Sequence, residues 1–145
     1  MATDAPARPS WTTVGSEAVG SVAYALGAVA LTGEAAVHVQ QYASIFHQVR
    51  WIGPLFLANA AASVVTIVGL AYGRTRQLAA PAGVVISVVA LGSLVVSYGR
   101  GLFGWQEGGF RTPVAIAVIT EVGAVILLST ALAARTTTRL AATHR

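Results

Sequence analysis

Long apolar stretches dominate the chain, and short polar segments separate each stretch from the next. The stretches cover residues 17–39, 51–72, 78–98 and 113–134. An α-helix rises about 1.5 Å per residue, so a stretch of about 20 residues crosses a hydrocarbon core of about 30 Å. The strands of a spanning β-barrel would alternate in polarity, and the fourth stretch shows no such alternation. The pattern predicts an all-α, four-transmembrane-helix bundle.

The segment after the first stretch has the periodicity of a further helix. Its apolar and aromatic residues recur at i, i+3, i+4 and i+7: Tyr42, Ile45, Phe46 and Val49. This spacing places them on one helical face, with Gln41 on another. We expect a short interfacial helix after the first span, or last turns of the first helix that bend along the membrane surface.

The two ends of the chain are polar. Residues 1–16 contain proline and are predicted to be a disordered N-terminus, and residues 135–145 form a basic tail. A cleaved signal peptide is an alternative for the first stretch, because Ala28-Val29-Ala30 offers a small-residue cleavage pattern. The apolar run continues to Val39, and we therefore expect the first helix to be retained.

Charge is scarce and is located where it sets membrane topology. Apolar residues make up 55% of the chain and charged residues 10%, and all nine basic residues are arginines. The N-terminus, the second connection and the tail carry six of them: Arg8, Arg74, Arg76, Arg135, Arg139 and Arg145. The first and third connections carry the other three: Arg50, Arg100 and Arg111. Arginine-rich segments stay inside, which predicts a multi-pass protein of the inner (plasma) membrane with both termini cytoplasmic.

Several chemistries are excluded or unsupported by the sequence. The arginines lie singly at the ends of apolar runs rather than in a patch, so nucleic-acid binding is not expected. The chain has no cysteine, which excludes disulfides and thiolate metal sites. No nucleophile elbow, phosphate loop or zinc-protease motif is present, so nothing in the sequence indicates an enzyme.

Ionisable residues within the predicted spans are the strongest candidates for function. A charged side chain near the middle of a spanning helix costs about 2.5–3.5 kcal/mol on insertion scales, so its presence needs an explanation. Counting along each helix from its predicted outer end places such residues, with Ser93 and Ser97, at similar depths in the outer half of the membrane. The predicted ligand-binding or proton-carrying set is Glu34, His38, Tyr42, Asn59 and Glu121. The residues predicted to surround the outer mouth are His47, Arg50, Arg100 and Trp105.

Two hypotheses explain these residues. In the first, the carboxyl groups are neutral packing groups that hydrogen-bond to Asn59 or to a serine on another helix. In the second, they surround a polar cavity that passes a proton or binds a divalent metal, a quinone or a lipid headgroup. The metal set would be Glu34, His38 and Glu121. Haem is less expected, because His38 and His47 both lie in or just after the first helix.

These hypotheses correspond to three classes of function. The first is a small membrane binding or accessory protein, for example a subunit of a larger membrane complex. The second is a proton- or metal-coupled transporter in which Glu34 or Glu121 changes protonation. The third is a redox protein that binds a quinone, metal or haem. Besides the lipid bilayer, the expected partners are another membrane protein or a second copy, since Gly69-x-x-x-Gly73 matches a close-packing motif.

Two runs of sequence resemble a group of uncharacterised small four-span integral membrane proteins of actinobacteria. They are HVQQYASIFHQVRWIGPLFLAN, from His38 to Asn59, and GRGLFGWQEGGF, from Gly99 to Phe110. The resemblance implies a four-helix inner-membrane protein but no catalytic residue. The family-like positions that it implies are His38, Ile52-Gly53, Leu55-Phe56, Asn59 and Gly101-Leu102-Phe103-Gly104.

Overall fold

Four long α-helices form the protein in a computed structural model that describes residues 11–143. The helices are α1 (Trp11–Ser44), α2 (Ile52–Ala71), α3 (Arg76–Gly99) and α4 (Thr112–Thr143), and a 3₁₀-helix (Phe46–Gln48) follows α1. The described residues form no β-strand. All four helices are long and apolar enough to cross a membrane. The predicted all-α four-helix bundle is confirmed, and the chain is a multi-pass membrane protein whose apolar helices contact the lipid bilayer.

The bundle has two different ends. The loop end holds the 3₁₀-helix with its flanking residues 45–51 and the connection 100–111. The terminal end holds the short turn 72–75, the start of α1 and the end of α4. At the terminal end the Ser16 and Thr138 hydroxyl oxygens lie 2.9 Å apart in a hydrogen bond between α1 and α4.

Helices α1 and α4 extend further at the terminal end than the apolar pattern predicts. Residues 11–16 were predicted to be disordered, but they form the first turns of α1. The contact between Ser16 and Thr138 gives the reason, since each helix offers the other a partner beyond its apolar stretch. The remainder of the predicted disordered segment, residues 1–10, lies outside the described residues, as do His144 and Arg145.

Small residues allow the helices to approach closely. A Cβ atom added at Gly27 of α1 or at Gly83 of α3 would lie 2.6 Å from a methyl group of Leu128 on α4. Lipid offers no hydrophobic drive for helices to associate, so such close packing is an important source of stability. Gly69 likewise allows α2 to approach α3 closely, because a Cβ atom added at Gly69 would lie 2.8 Å from the Cβ atom of Ala79. The homodimer stays a prediction.

Aromatic contacts close the loop end. The predicted short helix after the first span is present as one 3₁₀ turn, and its Phe46 is buried. The Phe46 ring stacks on Phe56 of α2 at 4.5 Å and meets Trp105 edge-on at 5.0 Å. Trp105 reaches this position through a tight turn in which Gly101, Phe103 and Gly104 all have positive φ. The connection 100–111 therefore covers the loop end of the bundle.

Candidate functional site

A cavity of about 370 Å³ lies near the loop end, chiefly between α2 and α3. Alanines on the facing sides of these two helices, Ala62 and Ala90, leave the space that forms it. Helices α1 and α4 complete the wall, and Trp105 lies at the loop end of the cavity. Most of the lining is aliphatic or aromatic.

The polar residues predicted to share a depth in the membrane lie around this cavity. Its polar lining residues are His38, Gln41, Asn59, Ser93, Ser97, Glu107 and Glu121. Their positions follow from counting along each helix from the loop end. His38 and Ser93 lie about 9 Å from the ends of α1 and α3, and Glu121 lies about 14 Å from the start of α4. The structure therefore places His38, Asn59 and Glu121 of the predicted set at one cavity, and their role there stays a prediction.

Glu34 lies behind the cavity wall and connects three helices. Its side chain is fully buried, and Oε2 accepts a 2.6 Å hydrogen bond from the Ser87 hydroxyl of α3. The Asn59 side chain of α2 interacts with the same carboxyl group. The Oε1 atom, however, has no partner of good hydrogen-bond geometry among the described residues. Glu34 therefore has one interhelical hydrogen bond of the kind expected of a packing group.

Sequence reasoning missed Ser87 because it ended the first helix too early. With α1 ending near Gln40, Glu34 was expected about 9 Å from the membrane surface, at the level of Ser93. The helix continues to Ser44, which puts Glu34 about 15 Å from its end. Ser87 lies at a similar distance, about 18 Å from the end of α3. Correct helix boundaries would have placed these two residues at a similar level, but only the packing of α1 against α3 pairs them.

His38 and Glu121 face each other at the cavity. The His38 Nε2 atom lies 3.8 Å from Glu121 Oε1, which is beyond hydrogen-bond distance. On the other side of the ring, Nδ1 lies 2.8 Å from the Glu34 backbone carbonyl oxygen. A carbonyl oxygen only accepts, so Nδ1 donates, and in the neutral imidazole Nε2 is left as an acceptor. Glu121 Oε2 is buried and has no partner among the described residues.

Several predicted site residues lie away from the cavity. Tyr42 is half-buried, and its ring lies 6.4 Å from that of His47. His47, Arg50 and Arg100 are exposed, and the guanidinium of Arg50 lies over the Trp51 ring. None of these four residues is among those that line the cavity. Of the predicted outer-mouth set, only Trp105 lines it, and its Nε1 atom is buried with no hydrogen-bond partner among the described residues.

Other lining residues were not predicted. Gln41 was expected on another helical face, but it is 5% exposed and lines the cavity. The reason is that α1 continues unbroken through this position, so Gln41, three residues after His38, shares its side of the helix. Phe56 packs its ring 4.9 Å from that of His38. Glu107 forms two hydrogen bonds with Arg111, at 3.1 and 3.0 Å.

The geometry gives no support to the predicted metal site. Within residues 11–143, no group of three or more His, Cys, Asp or Glu side chains is arranged to hold a metal ion. Of the proposed ligands, Glu34 already accepts a hydrogen bond from Ser87. The metal site therefore stays a prediction.

Comparison with known proteins does not indicate a family for this chain. No family model, no curated protein sequence and no solved structure matches this chain. The functional argument therefore depends on the cavity and its polar groups.

The hydrogen bond between Ser87 and Glu34 leads to a testable prediction of stability. We expect Ser87→Ala to lower the free energy of unfolding in detergent by about 1 kcal/mol, because it removes an interhelical bond from a buried carboxyl group. The matched control is Ser93→Ala on the same helix, since the Ser93 hydroxyl bonds only to the Val89 carbonyl of its own helix. Equal losses in the two variants, measured by denaturant titration, would contradict the role of this bond.

Proposed function

We propose that the protein is an intramembrane binding protein for an amphiphile, a molecule of the lipid or quinone class with an apolar body and a polar group. The observation that carries this proposal is a largely apolar cavity whose wall includes His38 and Glu121. Ligand pockets usually combine apolar walls with a few polar groups that fix the orientation of the ligand, in volumes of about 300–1,000 Å³. This cavity has that composition and size.

The position of the cavity supports a ligand that arrives from the bilayer. Leu55 of α2 and Val85 and Val89 of α3 line the cavity, yet they are 47%, 60% and 61% exposed. These residues therefore belong both to the cavity wall and to the outer surface of the membrane-spanning helices. A molecule dissolved in the bilayer can enter between α2 and α3 without crossing water.

The polar groups define which ligand chemistry fits. The His38 Nε2 atom accepts a hydrogen bond in the neutral ring, so it suits a hydroxyl or amide donor. Glu121 has an unpartnered oxygen, Oε2, which a polar group of the ligand would satisfy. A ligand that contacts both residues could bond to His38 Nε2 and to Glu121 Oε2 at once, because the two side chains lie close together, with Nε2 3.8 Å from Oε1. The remaining apolar wall accepts the body of the molecule.

Mass spectrometry of the purified protein tests the proposal. After purification in a gentle detergent, we expect solvent extraction to release one amphiphile enriched over the bulk membrane lipids. Its amount should fall about ten-fold in Glu121→Ala, because a hydrogen bond to a charged or strongly polar group contributes about 1.5–3 kcal/mol. Gln40→Ala, which truncates an exposed polar side chain of α1 that lines neither this cavity nor the one at the terminal end, serves as the control. An extract that matches the bulk membrane in every variant would refute the proposal.

A proton-coupled transporter is the second candidate. It is favoured by two titratable side chains, His38 and Glu121, that face one another at a cavity within the membrane. In proteoliposomes a transporter would move its substrate and would lose that activity in Glu121→Gln while assembly survives. A binding protein would drive no such movement in either form.

The biological setting that we propose is an accessory subunit in the inner membrane. The absence of any catalytic motif supports this role, and a partner should co-purify and lose yield when the gene is deleted. The distribution of arginines supports an orientation with the loop end outside and the terminal end in the cytoplasm. Accessibility of cysteines introduced at Arg74 and Arg100 to a membrane-impermeant reagent would measure the orientation directly.

A further inference from the structure

A second cavity, of about 340 Å³, lies at the terminal end of the bundle. Helix α1 contributes Tyr24, α3 contributes Arg76 and α4 contributes Arg135. It shares no lining residue with the first cavity. A ligand bound at the terminal end would therefore be independent of the amphiphile proposed for the first cavity.

Two arginines converge on one aromatic ring in this second cavity. The guanidinium carbons of Arg76 and Arg135 lie 5.4 Å and 5.5 Å from the centre of the Tyr24 ring. Neither arginine takes part in an ion pair among the described residues, where Arg111 pairs with Glu107. Two positive charges thus lie at one ring, and no described side chain supplies a bound counter-charge.

Buried donors in the same cavity have no acceptor. Tyr24 is 6% exposed, and its hydroxyl has no hydrogen-bond partner among the described residues. The Nη1 atom of Arg135 is buried and likewise unpaired, whereas Arg76 donates through Nε to the Leu70 carbonyl at 2.8 Å. Buried donors are paired in most folded proteins, so unpaired ones indicate a partner that binds there.

We propose that this cavity binds a phosphate group. Guanidinium groups present planar pairs of donors that match phosphate oxygens, and the Tyr24 hydroxyl adds a further donor. Glu17 also lines the cavity, where it is exposed. Two arginines and one glutamate leave a net charge of one positive unit. That balance fits a singly charged phosphodiester, the group found in phospholipids.

The level of the site along the bundle agrees with a lipid headgroup. Tyr24 lies about 30 Å along α1 from Ser44, and Arg135 about 35 Å along α4 from Thr112. These distances match or exceed a hydrocarbon core of about 30 Å, which places the site among the headgroups of the leaflet at the terminal end. A soluble phosphate is the other source of the same chemistry, and the experiment distinguishes the two.

Lipid binding by the full chain in neutral detergent tests the proposal. Native mass spectrometry would compare phosphatidylglycerol with diacylglycerol, which has the same acyl chains but no phosphate, and inorganic phosphate would be added in a separate arm. We expect phosphatidylglycerol to bind about ten-fold more tightly than diacylglycerol. Arg135→Gln should remove most of this preference, and Tyr24→Phe should weaken it while it retains the ring. Arg74→Gln is the matched control, because it removes the same charge from the exposed turn at the same end.

Each outcome has a defined meaning. Tight binding of phosphatidylglycerol that inorganic phosphate does not displace identifies a lipid headgroup. Displacement by inorganic phosphate, or protection of the protein from heat by it alone, identifies a soluble phosphate as the source. Equal binding of the two lipids with no effect of inorganic phosphate overturns the proposal. So does an equal loss in Arg74→Gln and Arg135→Gln, because it would reflect general attraction to a basic surface. Arg135→Lys, which keeps the charge, addresses any failure of the glutamine variant to fold.

Discussion

Ala62→Phe should abolish retention of the co-purifying amphiphile, with a loss well beyond ten-fold, while the protein still folds. Ala62 lines the cavity between α2 and α3, where its small side chain leaves room for the ligand. A phenyl ring at this position would occupy the cavity. The apolar body of the ligand would then no longer fit, because the pocket binds the ligand by enclosing that body. The measurement is the amount of amphiphile per protein after gentle-detergent purification.

The neighbouring position supplies the control for this experiment. Ala61 is exposed on the same helix and does not line the cavity, so Ala61→Phe should retain the ligand. Both variants add the same ring within one turn of helix, which makes their effects on insertion comparable. If Ala62→Phe kept the full amount of ligand, the cavity would not be its binding site.

The largest effect on stability is expected for Gly83→Leu, which should lower the free energy of unfolding by at least about 3 kcal/mol through overpacking. A Cβ at Gly83 would lie 2.6 Å from Leu128 and 3.2 Å from Thr66, side chains of two different helices. A third contact, with Leu31 of α1, leaves no direction in which a larger side chain can fit. The change should appear in detergent unfolding as a lower midpoint or as failure to assemble.

Gly92→Leu provides the comparison on the same helix. An added Cβ at Gly92 meets no atom within 4 Å, and the residue is exposed. The variant should fold at least as well as the original chain, because leucine in a helix is more stable than glycine by somewhat less than about 1 kcal/mol. A similar loss in both variants would show that apolar bulk alone, rather than close packing at Gly83, disturbs the bundle.

The polar residues within the apolar spans could be picked out from the sequence, because burying a polar side chain in lipid is costly at any position. Glu34, His38, Asn59 and Glu121 stand out in the sequence as polar residues in apolar spans, and the fold gathers them near one cavity. Their partners were harder to find. Ser87 is an ordinary small residue in an apolar run, and only its position opposite Glu34 distinguishes it.

The cavity at the terminal end was not predicted from the sequence. Arg76 and Arg135 were interpreted as topology markers, which is the common role of an arginine at the end of a span. Nothing in their spacing along the chain indicates that both approach Tyr24, since they lie on different helices. Their shared ring contact depends on how α1, α3 and α4 pack together.

The sequence by itself determined four spanning helices, because the length of an apolar run and the thickness of a membrane decide that feature locally. It also determined which polar residues need partners, since the cost of burying them does not depend on the fold. Only the tertiary structure decided which residues satisfy them, where α2 and α3 leave a cavity, and which arginines meet at one aromatic ring. Those features depend on how each helix is rotated about its axis and on contacts between residues far apart in the chain. The hydrophobic pattern of the sequence contains no information about either.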